Sequence, residues 1–123
     1  MKLKLPIRTK YICDFPNNIR PEVQKGYDLI CPKYYNIKID QVFYGRHKND
    51  NIHCYNKKKK KIFKTDCGYK PIKYVKELCE GKEYCSIVVR DIFFKYNCKG
   101  IDKRKISKYL HVDYYCVKDS VNI

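Results

Sequence analysis

Hydrophobic and polar residues alternate with a period of two in several segments, which is typical of half-buried β-strands. Near the C-terminus, one face of such a strand carries four apolar residues: Leu110, Val112, Tyr114 and Cys116. An earlier segment, residues 36–44, alternates in the same way but changes parity between Ile39 and Val42. A change of parity within one strand predicts either a β-bulge or an end to the strand near Gln41.

Two shorter apolar runs, residues 28–31 and 86–89, have the length of buried strands. One segment has helical spacing instead, because its apolar residues recur every three or four positions: Ile72, Val75, Leu78 and Cys79. Pro71 stands where a first helical turn tolerates proline, and Gly81 where a helix would end. We therefore predict one helix from about Pro71 to Cys79 in an α+β fold, a small antiparallel β-sheet or sandwich with long loops.

The chain contains eight cysteines, an even number spread along its length: Cys13, Cys31, Cys54, Cys67, Cys79, Cys85, Cys98 and Cys116. This pattern predicts four disulfides and an oxidising, extracellular compartment. Zinc sites usually contain C-x2-4-C pairs, whereas the nearest two cysteines here have five residues between them. We expect no metal and no cofactor. Eight cysteines allow about 105 pairings, so spacing alone leaves the pairing open.

The 123 residues suit one domain, and no apolar run approaches the length of a membrane-spanning helix. The N-terminus is basic but lacks the apolar stretch of a signal peptide. Only three histidines occur, His47, His53 and His111, and none lies in a recognisable nucleophile, metal or phosphate motif. We therefore predict that the chain is not an enzyme and does not insert into a membrane.

The net charge is +15, from 28 Lys and Arg against 13 Asp and Glu. Such a field attracts polyanions, and outside a cell a sulfated glycan is a better candidate than nucleic acid. Two runs would form this polyanion patch: Lys57, Lys58, Lys59, Lys60 and Lys61, and Lys103, Arg104 and Lys105. Two alternatives remain open, namely an ordinary solvated loop and the compositional bias of an AT-rich genome.

Four motifs accompany the cysteines in order: Ile30-Cys31-Pro32, Tyr44-Gly45-Arg46, Leu78-Cys79-Glu80-Gly81-Lys82-Glu83-Tyr84-Cys85, and Lys108-Tyr109-Leu110-His111-Val112-Asp113-Tyr114-Tyr115-Cys116. From Cys13 to Cys116, their order and approximate spacing resemble the galactose/rhamnose-binding (SUEL-type) lectin domain. The Y-G-R motif alone would be weak. With the K-Y-L-x-V-x-Y-x-C ending and eight ordered cysteines, the resemblance is specific.

The resemblance implies a compact fold of antiparallel strands with one main helix. It also implies four disulfides: Cys13–Cys54, Cys31–Cys116, Cys67–Cys98 and Cys79–Cys85. The lectin-like domain would span residues 11–118, between an N-terminal extension at 1–10 and a C-terminal tail at 119–123. We expect a secreted or cell-surface module of a larger adhesive protein.

The resemblance further implies a sugar site at five positions: Asp14, Tyr44, Asp91, Gly100 and Lys108. Carboxylates would accept from two sugar hydroxyls, the lysine would donate, and the ring would pack on a C–H face. Tyr44 fits core packing equally well, because it ends an alternating strand. The family also has a D-P-C motif before K-Y-L, and the chain departs from it: the cysteine is Cys98, but the position of the acid is occupied by Tyr96. Residues 102–107 then insert a basic segment.

Three functions follow as alternatives. The first is a sugar-binding lectin domain, with Asp14, Asp91 and Lys108 around a shallow pocket beside Tyr44. The second is a protein-recognition module on the same fold, which the 13 tyrosines favour because tyrosine is enriched at interfaces. The third is a polyanion-binding module that uses the lysine-rich runs.

Overall fold

The computed structural model describes residues 2–14, 27–54, 62–90, 93–95, 98 and 106–119. Over these residues the order of elements is β1 (Lys2–Lys4), β2 (Arg8–Cys13), β3 (Leu29–Ile30), β4 (Asn36–Arg46), β5 (Cys67–Tyr69), α1 (Ile72–Cys79), β6 (Tyr84–Cys85) and β7 (Tyr109–Asp119). The strands form a five-stranded sheet and a two-stranded sheet, all paired antiparallel. The predicted α+β class is confirmed.

Strand β7 lies at the centre of the larger sheet. It pairs with β4 on one side and with β1 and β2 in succession on the other. The register between β4 and β7 shifts between Ile39 and Gln41 and the strand continues to Arg46, so of the two predicted alternatives the bulge occurs and the strand end does not. Because the bulge adds one residue, Val42 returns to the buried face on which Ile39 lies.

The core lies between the large sheet and α1. The alternating apolar residues of β7 are buried as predicted, with Leu110, Val112 and Cys116 fully enclosed. The helix contributes Val75 and Cys79 to the same cluster. Its predicted bounds are confirmed, because Pro71 precedes its first residue and the cap at Glu80 leads into a glycine with φ of 84°.

The apolar run at residues 86–89 is buried, but the prediction of a strand there is wrong. Ile87 and Val89 have almost no exposed surface, yet both lie outside the paired strands. The amide of Ile87 donates to the Asp28 carboxylate at 2.8 Å instead of to a strand partner. A run of apolar residues indicates that a segment is buried. It does not distinguish a paired strand from an extended segment whose backbone amide forms a hydrogen bond with a side chain. The other run, at residues 28–31, does contain β3.

Four disulfides join the elements: Cys13–Cys54, Cys31–Cys116, Cys67–Cys98 and Cys79–Cys85. These are the pairs that the family resemblance implies. The Cys31–Cys116 bond ties the small sheet to β7, and Cys79–Cys85 ties the end of α1 to β6. Each bond stabilises the fold by about 2–4 kcal/mol, chiefly by restricting the unfolded chain.

The glycine of the Y-G-R motif is required by a close approach of two strands. Gly45 on β4 pairs with Gly68 on β5, and both have positive φ, 140° and 156°. A Cβ on Gly45 would collide with the backbone of Cys67 and Gly68. A Cβ on Gly68 would collide with the Tyr44 carbonyl. Neither position accepts a side chain without a backbone shift.

The N-terminal residues belong to the sheet. Residues 2–4 pair with β7 near its end, and residues 8–13 pair with its first half, so much of the expected extension at 1–10 is sheet edge. Throughout the described part of the chain, no helix combines the length and apolar character that crossing a membrane requires.

Candidate functional site

Three of the five predicted sugar-site residues meet at one carboxylate. The Tyr44 hydroxyl donates to Asp14 Oδ2 at 3.3 Å, and the Lys108 ammonium lies 3.3 Å from the same oxygen. The Asp14 amide also donates to the Lys108 carbonyl at 2.9 Å. A carboxylate, an ammonium and a phenol therefore share one small volume.

Strand pairing explains this convergence. Strand β2 ends where Cys13 faces Tyr109 on β7, so the next residues outward, Asp14 and Lys108, become neighbours. Tyr44 reaches them from β4, on the other side of β7. Residues far apart in the sequence are thus brought together by the sheet register.

The arrangement is closed, and in this it differs from the expected shallow pocket. Tyr44 is 1% exposed and Lys108 is 4% exposed, while the Asp14 side chain keeps 15% of its surface. The Tyr44 ring stacks on Phe94, with centroids 4.7 Å apart. Its ring therefore belongs to the core, while its hydroxyl contacts the carboxylate. The Asp14 carboxylate offsets the cost of burying the Lys108 ammonium.

The other predicted binding residues, Asp91 and Gly100, lie outside the described residues. The same holds for the predicted polyanion patch: Lys57, Lys58, Lys59, Lys60, Lys61, Lys103, Arg104 and Lys105.

The arginine of the Y-G-R motif has a role that the sequence did not reveal. Arg46 is 2% exposed, and its guanidinium donates to the carbonyls of His53 at 2.9 Å, Asp50 at 3.0 Å and Ser107 at 2.9 Å. It also lies over the Tyr109 ring. One side chain thus joins residues 50–53 to the segment that leads into Lys108.

A second polar group lies on the opposite face of the large sheet and was missed in the sequence. On β7, His111 alternates with the buried Leu110 and Val112, so its side chain points away from the core. There it contacts His47 directly and is linked to His53 through the Tyr11 ring, on which both stack; we call these three histidines of the chain the histidine cluster. Sequence spacing gave no signal for it.

The Tyr11 ring stacks on two imidazole rings of the histidine cluster. Its centroid lies 3.6 Å from that of His53 and 4.5 Å from that of His111. His47 stacks on Phe43 at 4.2 Å. Burial and the nearby His111 lower the pKa of His47. The rings are therefore packed by neighbours from β2 and β4.

Asp50 anchors the loop beside the histidine cluster. It accepts from the Tyr109 hydroxyl at 2.6 Å and from the amides of Ile52 and His53 at 2.9 and 3.0 Å. Burial favours protonation, but these hydrogen bonds outweigh it and hold the pKa of Asp50 well below its usual range. Burial, followed by the bond to Asp50, raises the pKa of Tyr109.

A cavity of about 320 Å³ opens next to this cluster. Its lining includes Gln41, Phe43, His47, Asp66, Tyr69 and His111. Across the described residues, no three His, Cys, Asp or Glu side chains are grouped as metal ligands.

Comparison with protein families identifies a matching family model. The model described as "D-galactoside/L-rhamnose binding SUEL lectin domain" matches residues 29–116. The matched region covers more than two thirds of the chain and contains Tyr44 and Lys108, while Asp14 lies before it. A search of curated proteins found no match.

Proposed function

This chain belongs to the D-galactoside/L-rhamnose binding SUEL lectin domain family, and we propose that it is an extracellular recognition module that binds a hexose through Asp14, Tyr44 and Lys108. Family membership supports carbohydrate binding in general. Four disulfides support an extracellular location. Both are consistent with a non-catalytic role in adhesion.

The observation that carries the proposal is the shared carboxylate of Asp14. Tyr44 and Lys108 both lie 3.3 Å from its Oδ2 atom. Vicinal hydroxyls of a hexose need an acceptor and a charged donor side by side, which is the pair that Asp14 and Lys108 supply.

The sugar approaches from the side of Asp14. Of the three side chains, Asp14 keeps the largest exposed fraction, 15%, whereas Tyr44 and Lys108 are buried. Because Asp14 Oδ1 is buried, a sugar hydroxyl has to bond Oδ2 and compete there with the contacts of Tyr44 and Lys108. Because this competition reduces the net gain of each hydrogen bond, we propose weak monosaccharide binding that gains strength when several modules act together.

Binding to an immobilised glycan panel at low and high salt tests this function. Galactosides or rhamnosides should bind at both salt concentrations, and Asp14→Asn and Lys108→Ala should each lose that binding. Lys82→Ala is the matched control, since Lys82 is exposed on another part of the surface. Retention of binding in both site variants would reject the site. Binding only to sulfated chains, and only at low salt, would support the polyanion alternative instead.

An exposed aromatic surface favours protein recognition as a second candidate function. Its residues are Tyr27, Ile30, Tyr34 and Tyr84, each about half exposed or more. The rings of Tyr27 and Tyr84 lie 4.1 Å apart, and Lys33 and Lys118 approach the Tyr34 ring. Large exposed aromatic residues beside cations are typical of protein interfaces.

Enzymatically deglycosylated cells separate the two functions. A protein partner predicts that binding to such cells persists in the wild type and is lost in the double variant Tyr34→Ser, Tyr84→Ser. Loss of wild-type binding on deglycosylation would contradict this candidate and leave the glycan as the ligand.

A further inference from the structure

Two histidines from distant parts of the chain face each other directly. His47 follows β4 and His111 lies on β7, 64 positions further along, yet His47 Nε2 is 2.8 Å from His111 Nδ1. Both side chains are largely shielded, with 28% and 20% of their surface exposed.

Each ring turns its other nitrogen towards a carboxylate. His111 Nε2 lies 3.0 Å from Asp113 Oδ1, and His47 Nδ1 lies 3.6 Å from Asp66 Oδ1. We call the two nitrogens that face each other, His47 Nε2 and His111 Nδ1, the inner nitrogens. In protein sites for transition metals, a histidine commonly binds the ion through one ring nitrogen while the other ring nitrogen donates to a carboxylate.

A proton or a metal ion can join the two nitrogens that face each other. Asp113 accepts from His111, so the neutral ring carries its proton on Nε2 and has a lone pair at Nδ1. A neutral His47 that donates from Nε2 to His111 has a lone pair at Nδ1 facing the Asp66 carboxylate, whereas a doubly protonated His47 donates from both nitrogens. A metal ion bound by His47 Nε2 and His111 Nδ1 gives the same outer contact with a neutral His47, because its proton then sits on Nδ1 and donates to Asp66.

We propose that His47 Nε2 and His111 Nδ1 bind a divalent transition-metal ion. Imidazole suits copper, nickel and zinc. If each nitrogen lies about 2.0–2.1 Å from the ion, two ligands at a right angle are about 2.9 Å apart and two tetrahedral ligands about 3.3 Å. The observed 2.8 Å fits the right angle. Square-planar or tetragonal geometry is preferred by Cu²⁺ and Ni²⁺, so these ions bind best.

The surroundings hold the rings and leave room for further ligands. Phe43 stacks on His47 and Tyr11 stacks on His111, which fixes both ring planes. The cavity of about 320 Å³ borders both histidines. Since no third His, Cys, Asp or Glu joins the pair within the described residues, water or an external donor takes the remaining coordination positions. The negative charges of Asp66 and Asp113 beside the two rings favour a bound cation, although the net charge of the whole chain is positive.

Calorimetric titration of the oxidised protein with NiCl₂ and CuCl₂ at pH 7.5 tests the proposal. We expect one ion per chain and at least a tenfold loss of affinity in His47→Gln and in His111→Gln. His53→Gln is the matched control and should bind as the wild type does. Asp113→Asn keeps both rings and should weaken binding about 10- to 100-fold.

Electron paramagnetic resonance of the Cu²⁺ complex tests the wild type without any substitution. Coupling to two imidazole nitrogens supports the site, and coupling to none or one overturns it. Equal affinity in the wild type and both histidine variants would also overturn it. No glycan enters either experiment, so failure here leaves the lectin function intact, and failure of glycan binding leaves the metal site intact.

Discussion

The Lys108 ammonium lies 3.3 Å from the Asp14 carboxylate, and the backbones of the two residues are hydrogen-bonded as well. This double connection fastens the end of β2 to the start of β7. The predicted sugar site is therefore also part of the framework of the fold, so that changes there affect stability as well as binding.

Substitution of Lys108 should destabilise the protein. Lys108→Met removes the ammonium that forms an ion pair with the largely buried Asp14 carboxylate. We expect the free energy of unfolding to fall by about 2–4 kcal/mol. Urea denaturation under non-reducing conditions measures this change. Lys82→Met, at an exposed position, should change stability by less than about 0.5 kcal/mol. Equal effects of the two substitutions would show that the Asp14–Lys108 contact contributes nothing.

Arg46 should not tolerate replacement by lysine. Its guanidinium donates to three carbonyls at once, and an ammonium on a single stem cannot reproduce that planar geometry. We expect Arg46→Lys to cost about 2–3 kcal/mol and to speed proteolysis between residues 47 and 54. Arg8→Lys is the control, because the exposed Arg8 donates only to Ile30 among the bonds that the structure describes. Identical proteolysis of the two variants would contradict this role.

Two glycines with positive φ should respond differently to alanine. Gly45→Ala places a Cβ against the backbone of β5, so we expect a loss above about 3 kcal/mol or failure to fold. Gly81→Ala has the same class of φ but meets nothing within 4 Å, so only the conformational cost of about 1 kcal/mol remains. Thermal unfolding of both variants checks the contrast. A small effect at Gly45 would mean that β4 and β5 are further apart than described.

Asp50 predicts a pH dependence of stability. Its folded pKa lies below the unfolded value near 3.9, so its contribution is complete above that value and is lost as the pH falls further. Wild type should exceed Asp50→Asn by about 2–3 kcal/mol at pH 6, and the difference should shrink below pH 4. Unfolding free energies of both proteins between pH 6 and pH 2 test this. A difference that stays constant over that range would exclude the carboxylate as its source.

The sequence predicts features that depend on local periodicity. The parity change before Val42 predicted an irregularity, either a bulge or a strand end, and the spacing of Val75 and Cys79 predicted the helix. The run at residues 86–89 was misassigned because its amide bonds the Asp28 side chain, a contact that no periodicity contains.

The candidate site was predictable only through motifs. Asp14, Tyr44 and Lys108 were identified by the family pattern, but their burial depends on how β2, β4 and β7 pack. The contact of His47 with His111 results from the register of β4 on β7 and the path of the chain after β4. Neither the burial of the sugar-site residues nor the His47–His111 contact can be predicted from one sequence, because no periodic pattern links side chains that are 64 positions apart.

The most direct test of the lectin function is a two-dimensional ¹H–¹⁵N NMR titration of the oxidised protein with L-rhamnose and with D-galactose in high salt. Our account predicts saturable shifts of the amides of Asp14, Tyr44 and Lys108, and their loss in Asp14→Asn. Shifts confined to other parts of the chain, or no shifts with either sugar, would contradict it.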